Sequence, residues 1–116
     1  MSVTGSFQAT GKTIQITTSS AAANNLVMLS DSPSMQYRLV NHASQPVYVW
    51  ISPIGAPVNV AIPTGNGAKA GYAHVVPPNT NYVISGPQAG PDTGVYVSAQ
   101  AESGTPEIYI TPGYGR

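Results

Sequence analysis

Apolar and polar positions alternate along most of this chain, and no stretch repeats with the 3.6-residue period of an amphipathic helix. The pattern is clearest at residues 35–52 (MQYRLVNHASQPVYVWIS). Met35, Tyr37 and Leu39 share one parity, with Gln36 and Arg38 on the other, which predicts a strand covered on the first of these faces. Residues 41–46 (NHASQP) supply turn chemistry. Val47, Tyr48, Val49, Trp50 and Ile51 then predict a strand covered on both faces or nearly so, with Trp50 in the main core. Together the two runs read as a β-hairpin at the centre of the domain.

Either side, the same period recurs in short pieces. Residues 12–18 predict a first strand and residues 26–29 a second, with room between them for one helical turn at most. Beyond the central pair, residues 58–62, 68–76 and 81–85 alternate, separated by the proline and glycine signals at 53–57, 63–67 and 77–80. Residues 86–94 (GPQAGPDTG) read as a loop. Residues 95–100 and 107–111 read as a compact hairpin, and 112–116 as an irregular tail. About eight or nine short strands with frequent turns predict an all-β fold: an antiparallel β-sandwich, jelly-roll-like, with an open Greek-key barrel as the alternative. Parallel α/β folds are excluded because no crossover helix is available.

Residues 12–116 are read as one sandwich domain, preceded by an extended arm at residues 1–11. Val3 and Phe7 are the arm's only large apolar anchors, too few to offset its ordering entropy. The arm is therefore expected to order against a neighbouring subunit. The first residues lack the apolar run of a signal peptide, and no stretch reaches the ~18 apolar residues of a membrane span, so a soluble product without a secretory address is expected.

Composition sharpens the picture through charge. Only 7% of the 116 residues are charged, against about a quarter in ordinary domains, and the formal net charge is zero. Four scattered cations cannot form the basic stripe that nucleic acid or an anionic membrane requires. A surface so poor in charge suits a subunit whose faces are covered by neighbours. There is no cysteine, which excludes disulfides, thiolate metal sites and thiol nucleophiles.

Candidate chemistry is sparse. His42 lies in the central turn and His74 inside an apolar strand, with no ligand spacing around either, so no metal or other cofactor is expected. Glu102 and Glu107 flank the last predicted hairpin and are the one pair that could approach as a hydrolase would need. No serine stands in a frame with a histidine base, and no enzyme activity is expected. Most tyrosines lie inside strands, where packing explains them. Tyr72 and Tyr114, beside glycines, can present a ring outward.

The segment VYVSAQAESGTPEIYITPGYG, preceded by VVPPNTNYVISGP, resembles the C-terminal end of small proteins from tailed-phage structural gene clusters. The likeness rests on Val95 to Ala99, on the turn Ser103-Gly104-Thr105 and on Ile108-Tyr109-Ile110-Thr111-Pro112-Gly113. The resemblance implies a virion component made in the host cytoplasm: a capsid cement or decoration protein on the head exterior. Its implied partners are the major capsid protein and further copies of itself, as a homo-dimer or homo-trimer. Expected interface residues are Val3, Phe7, Ile54, Pro57, Tyr72 and Tyr114. The alternative is a tail or fibre module that binds a host glycan through Tyr72, Asn66 and Asn79.

Overall fold

Nine strands form among the residues described by the computed structural model, which are 7–20, 24–64 and 71–114. They are β1 (Gln8–Ala9), β2 (Ile14–Thr17), β3 (Asn24–Met28), β4 (Ser34–Asn41), β5 (Val47–Pro53), β6 (His74–Val76), β7 (Thr80–Ala89), β8 (Val95–Gln100) and β9 (Glu107–Tyr114). One sheet, here sheet A, has the order β1-β9-β4-β7, with β2 on the same edge of β9 as β1. The other, sheet B, has the order β3-β8-β5-β6. Every pairing is antiparallel. The fold is an all-β sandwich.

The pairings are nested: β2 with β9, β3 with β8, β4 with β7, β5 with β6. The chain thus behaves as one long hairpin rolled over on itself, closed by the contacts of β4 with β9 and β5 with β8. Three times the doubled chain crosses between sheets, and hydrogen bonds tie the two passing segments together. The Ala101 amide donates to the Ser19 carbonyl at 2.9 Å, Ser30 to Gly90 at 3.2 Å, and Asn79 to Ala43 at 3.2 Å.

Alternation fills the interior. Ile16, Tyr37, Leu39, Ile84, Ile108 and Ile110 of sheet A meet Met28, Val47, Val49, Ile51, Val95 and Val97 of sheet B in one buried cluster. Burial of this kind stabilises by about 25 cal/mol per Å2 of apolar surface. Tyr37 is fully buried, and its hydroxyl donates to the Pro87 carbonyl. Burial pushes its pKa up to about 12.

Several expectations change. Residues 35–52 do not form a hairpin: β4 lies in sheet A and β5 in sheet B, and residues 42–46 carry the chain across. The reason is Asn41, fully buried, whose side-chain amide donates to the carbonyls of Gln45, Val76 and Pro77 at 2.9, 3.1 and 3.2 Å. Its oxygen accepts from the Ala43 amide at 2.9 Å. For the same topological reason β8 and β9 are not a hairpin but members of different sheets. Met35 is exposed rather than covered, because the ladder between β4 and β7 slips between Ser34 and Gln36 and turns Ser34 inward instead.

Residues 58–62 form no strand. β7 runs through Gly86 and Pro87 to Ala89, and β9 through Pro112 and Gly113 to Tyr114, where loop and tail were expected. Gly86 allows this because a Cβ there would meet the Tyr37 ring at 3.1 Å. Residues 7–11 of the arm dock on their own chain, with Gln8 and Ala9 paired to Tyr114 and Gly113. The Thr10 amide donates to the Pro112 carbonyl at 2.9 Å, and its hydroxyl lies 2.8 Å from that of buried Ser30. Val3, Asn66 and the alanines at 21–23 lie outside the described residues.

Candidate functional site

The two outer faces of the sandwich differ in chemistry. On sheet A the outward positions of β2, β4, β7 and β9 are mostly polar: Gln15, Thr17, Arg38, Asn81, Ser85 and Glu107 are exposed. Cross-strand hydrogen bonds lace them, with Gln15 Nε2 donating to the Tyr109 hydroxyl at 2.9 Å and to Glu107 Oε1 at 3.2 Å. The Thr13 and Thr111 hydroxyls meet at 2.7 Å.

On sheet B the outward row of β5 is Tyr48, Trp50 and Ser52, and that of β8 is Tyr96, Ser98 and Gln100, set side by side by the register. Buried Ser52 and Ser98 accept hydrogen bonds from the Val58 and Val60 amides at 2.9 and 3.0 Å. The segment expected to be a strand is therefore a strap laid over this face. It satisfies its amides on serine side chains instead of a ladder. Val60 is buried beneath it, outside the main core. The Tyr96 hydroxyl reaches Asn59 Oδ1 at 3.2 Å.

The strap returns at residues 71–73. The Ala61 amide donates to the Tyr72 carbonyl at 3.0 Å. A Cβ on Gly71 would sit 2.2 Å from the Ala61 carbonyl oxygen, so the two legs close together only because position 71 has no side chain. Closure delivers Tyr72 onto Trp50, with ring centroids 5.2 Å apart, and His74 stacks on the same indole at 5.0 Å and 17°. Tyr72 remains 60% exposed, and Val75, paired with Tyr48, is also exposed. Desolvation lowers the His74 pKa. Desolvation first, then the charge of Glu102, raises that of Tyr48, whose hydroxyl donates to Glu102 at 3.4 Å.

Trp50 is thus half-buried on the outer face and not in the main core. The parity of Tyr48, Trp50 and Ser52 against Val47, Val49 and Ile51 was the signal, hidden because nearly every residue of the run is apolar. Of the expected interface residues, Tyr72 joins this aromatic cluster. Ile54 and Pro57 are exposed on the connection that becomes the strap. Phe7 and Tyr114 fall at another corner, where β1 meets the end of β9; a Cβ on Gly113 would lie 2.6 Å from the Phe7 ring.

Asn79 is in the turn before β7, beside Ala43, with a φ of 52°. Glu102 and Glu107 have separate partners, Tyr48 of sheet B and Gln15 of sheet A. Among the described residues no three metal-ligating side chains converge. Searched against known proteins, the chain matches no family model and no curated sequence.

Proposed function

We propose that this chain is a non-enzymatic structural protein of a tailed-phage virion: a cement or decoration subunit on the capsid exterior. It binds the major capsid protein across capsomer seams and associates with copies of itself as a homo-dimer or homo-trimer. The nested strand order supports reading the sandwich as a jelly roll, an architecture used by viral capsid and lectin domains.

The observation that carries the reading is the outer face of sheet B. Tyr72 is exposed against Trp50, with Val75 exposed opposite Tyr48 on the same face, and exposed aromatic side chains of this type anchor protein interfaces. Its mechanism is burial without chemistry: it requires no cofactor, nucleic acid or membrane. Each contact is weak after association entropy is subtracted, and repetition around a symmetric shell makes the attachment durable.

Retention on capsids assembled from the co-encoded major capsid protein, followed over a sodium chloride titration, tests it. Apolar contacts predict a nearly flat response, because screening acts on exposed charges beyond about 8–10 Å and few are present. Stripping at moderate salt with a steep log–log slope contradicts the mechanism. A chain that binds soluble oligosaccharide and ignores capsids contradicts the function.

A further inference from the structure

We propose that the two clefts flanking His42 form one binding site for an uncharged saccharide. This site lies at the end of sheet A, away from the aromatic cluster of sheet B, and it does not depend on the capsid reading.

His42 begins the crossing that follows β4 and is exposed. On one side it borders a cleft of about 290 Å3 shared with Thr105, Glu107 and Tyr109. On the other it borders one of about 100 Å3 shared with Asn79, Thr80 and Asn81. His42 lines both, and the larger cleft by itself stands near the lower end of the roughly 300–1,000 Å3 range of small-molecule sites.

The lining has the groups that a ring of vicinal hydroxyls needs. Glu107 accepts hydrogen bonds, the carboxamides of Asn79 and Asn81 both donate and accept, Thr105 adds a hydroxyl, and the Thr80 hydroxyl, which donates to the Pro78 carbonyl at 2.9 Å, can still accept. Glu107 Oε1 is held by Gln15 at 3.2 Å, while its second oxygen has no donor among the described residues. Tyr109 supplies a half-buried ring set edge-on to His42, with centroids 6.1 Å apart and planes at 64°. Such rings cover the C–H face of a sugar.

The wall on the His42 and Asn79 side is held before any ligand arrives. Asn41 ties the crossing to the Val76 and Pro77 carbonyls, and the Asn79 amide donates to Ala43. A site held in this way loses little entropy on binding. Charge selects the ligand class. Among the described residues no lysine or arginine lines either cleft, and Glu107 repels anions, so sialylated, sulfated and phosphorylated sugars are disfavoured. One shallow site of this kind binds weakly, and copies arrayed on an assembly multiply the effect.

The test is a two-dimensional amide NMR titration of the full chain with the methyl glycosides of glucose, galactose, mannose and N-acetylglucosamine, with sialyllactose as the anionic comparison. The expected result is saturable shifts for at least one neutral glycoside, confined to residues 42–43, 79–81 and 105–109. Glu107→Ala and Asn81→Ala alter exposed side chains, so the fold is retained; each should weaken binding about tenfold, the scale of one lost hydrogen bond to a polar ligand. Absence of saturable shifts with all four glycosides overturns the proposal. So do shifts that map to Trp50 and Tyr72, shifts that survive both substitutions unchanged, and tighter binding of sialyllactose. Capsid retention through Tyr72 is unaffected by any of these outcomes, so the two proposals fail separately.

Discussion

The outer faces of sheets A and B are built on the same period-2 alternation and end in opposite states. Sheet A dresses its outer surface with side chains: Gln15, Arg38, Asn81 and Glu107 meet solvent, and Gln15 bonds across to β9. Sheet B covers part of its outer surface with backbone, the strap at residues 58–60, whose amides are taken up by Ser52 and Ser98. What remains open there includes Tyr72, Val75 and Val27. On the function proposed above, a face that displays Tyr72 and Val75 suits contact with protein, and a face laced with amides, hydroxyls and a carboxylate suits solvent.

Both faces depend on the crossing that Asn41 holds, so the largest effect is expected there. Asn41→Ala removes the contacts to Gln45, Val76, Pro77 and Ala43 and strands the buried Val76 carbonyl, which by itself costs about 1–3 kcal/mol. A loss of roughly 3 kcal/mol in urea unfolding is expected, together with loss of the His42 clefts. A loss under about 1 kcal/mol would mean that the crossing is held by something other than this side chain.

The faces should then separate. Ser98→Ala leaves the buried Val60 amide without its acceptor and should cost about 1–3 kcal/mol, measured by urea midpoint at constant m-value. Gln15→Ala breaks two hydrogen bonds rather than one, but both are exposed, and the expected change is within about 0.5 kcal/mol. Equal costs for the two substitutions would erase the distinction between a strapped face and a solvated one.

A smaller effect tracks pH. Desolvation by burial lowers the folded pKa of His74, which stacks on Trp50, below the unfolded value of about 6.5. As pH falls through that value the unfolded chain binds a proton that the folded chain resists, and stability declines until the folded pKa is passed. Stability against pH from 7.5 to 4.5 should therefore show a downward step that is missing in His74→Phe. An identical profile in the variant would place the titration elsewhere.

The inward faces were legible because alternation is unambiguous where polar residues interrupt it: Tyr37 and Leu39 against Gln36 and Arg38, Ile108 and Ile110 against Glu107 and Thr111. Trp50 was not, since a run apolar at nearly every position from Val47 to Ile51 leaves its parity hard to read. Nor was the crossing at 42–46, because Asn-His-Ala-Ser-Gln-Pro has the turn chemistry of a hairpin and of a sheet-to-sheet crossing alike. What separates them is a set of long-range bonds from Asn41 to Val76 and Pro77. Met35 was misplaced by the irregularity in the β4–β7 ladder between Ser34 and Gln36, which leaves no mark on composition. The aromatic cluster needed the third dimension, because Tyr72 reaches Trp50 only through the strap closed at Gly71 and Ala61.

The difference between the faces is tested most directly by capsid retention of two single variants, Tyr72→Ser on the strapped face and Arg38→Gln on the solvated one. Both residues are exposed, so neither substitution should disturb the fold. Tyr72→Ser should weaken retention at least about tenfold, the cost of one truncated aromatic anchor, with Arg38→Gln indistinguishable from the parent. Retention lost with Arg38→Gln and kept with Tyr72→Ser would put the contact on sheet A and contradict the assignment of sheet B as the binding face.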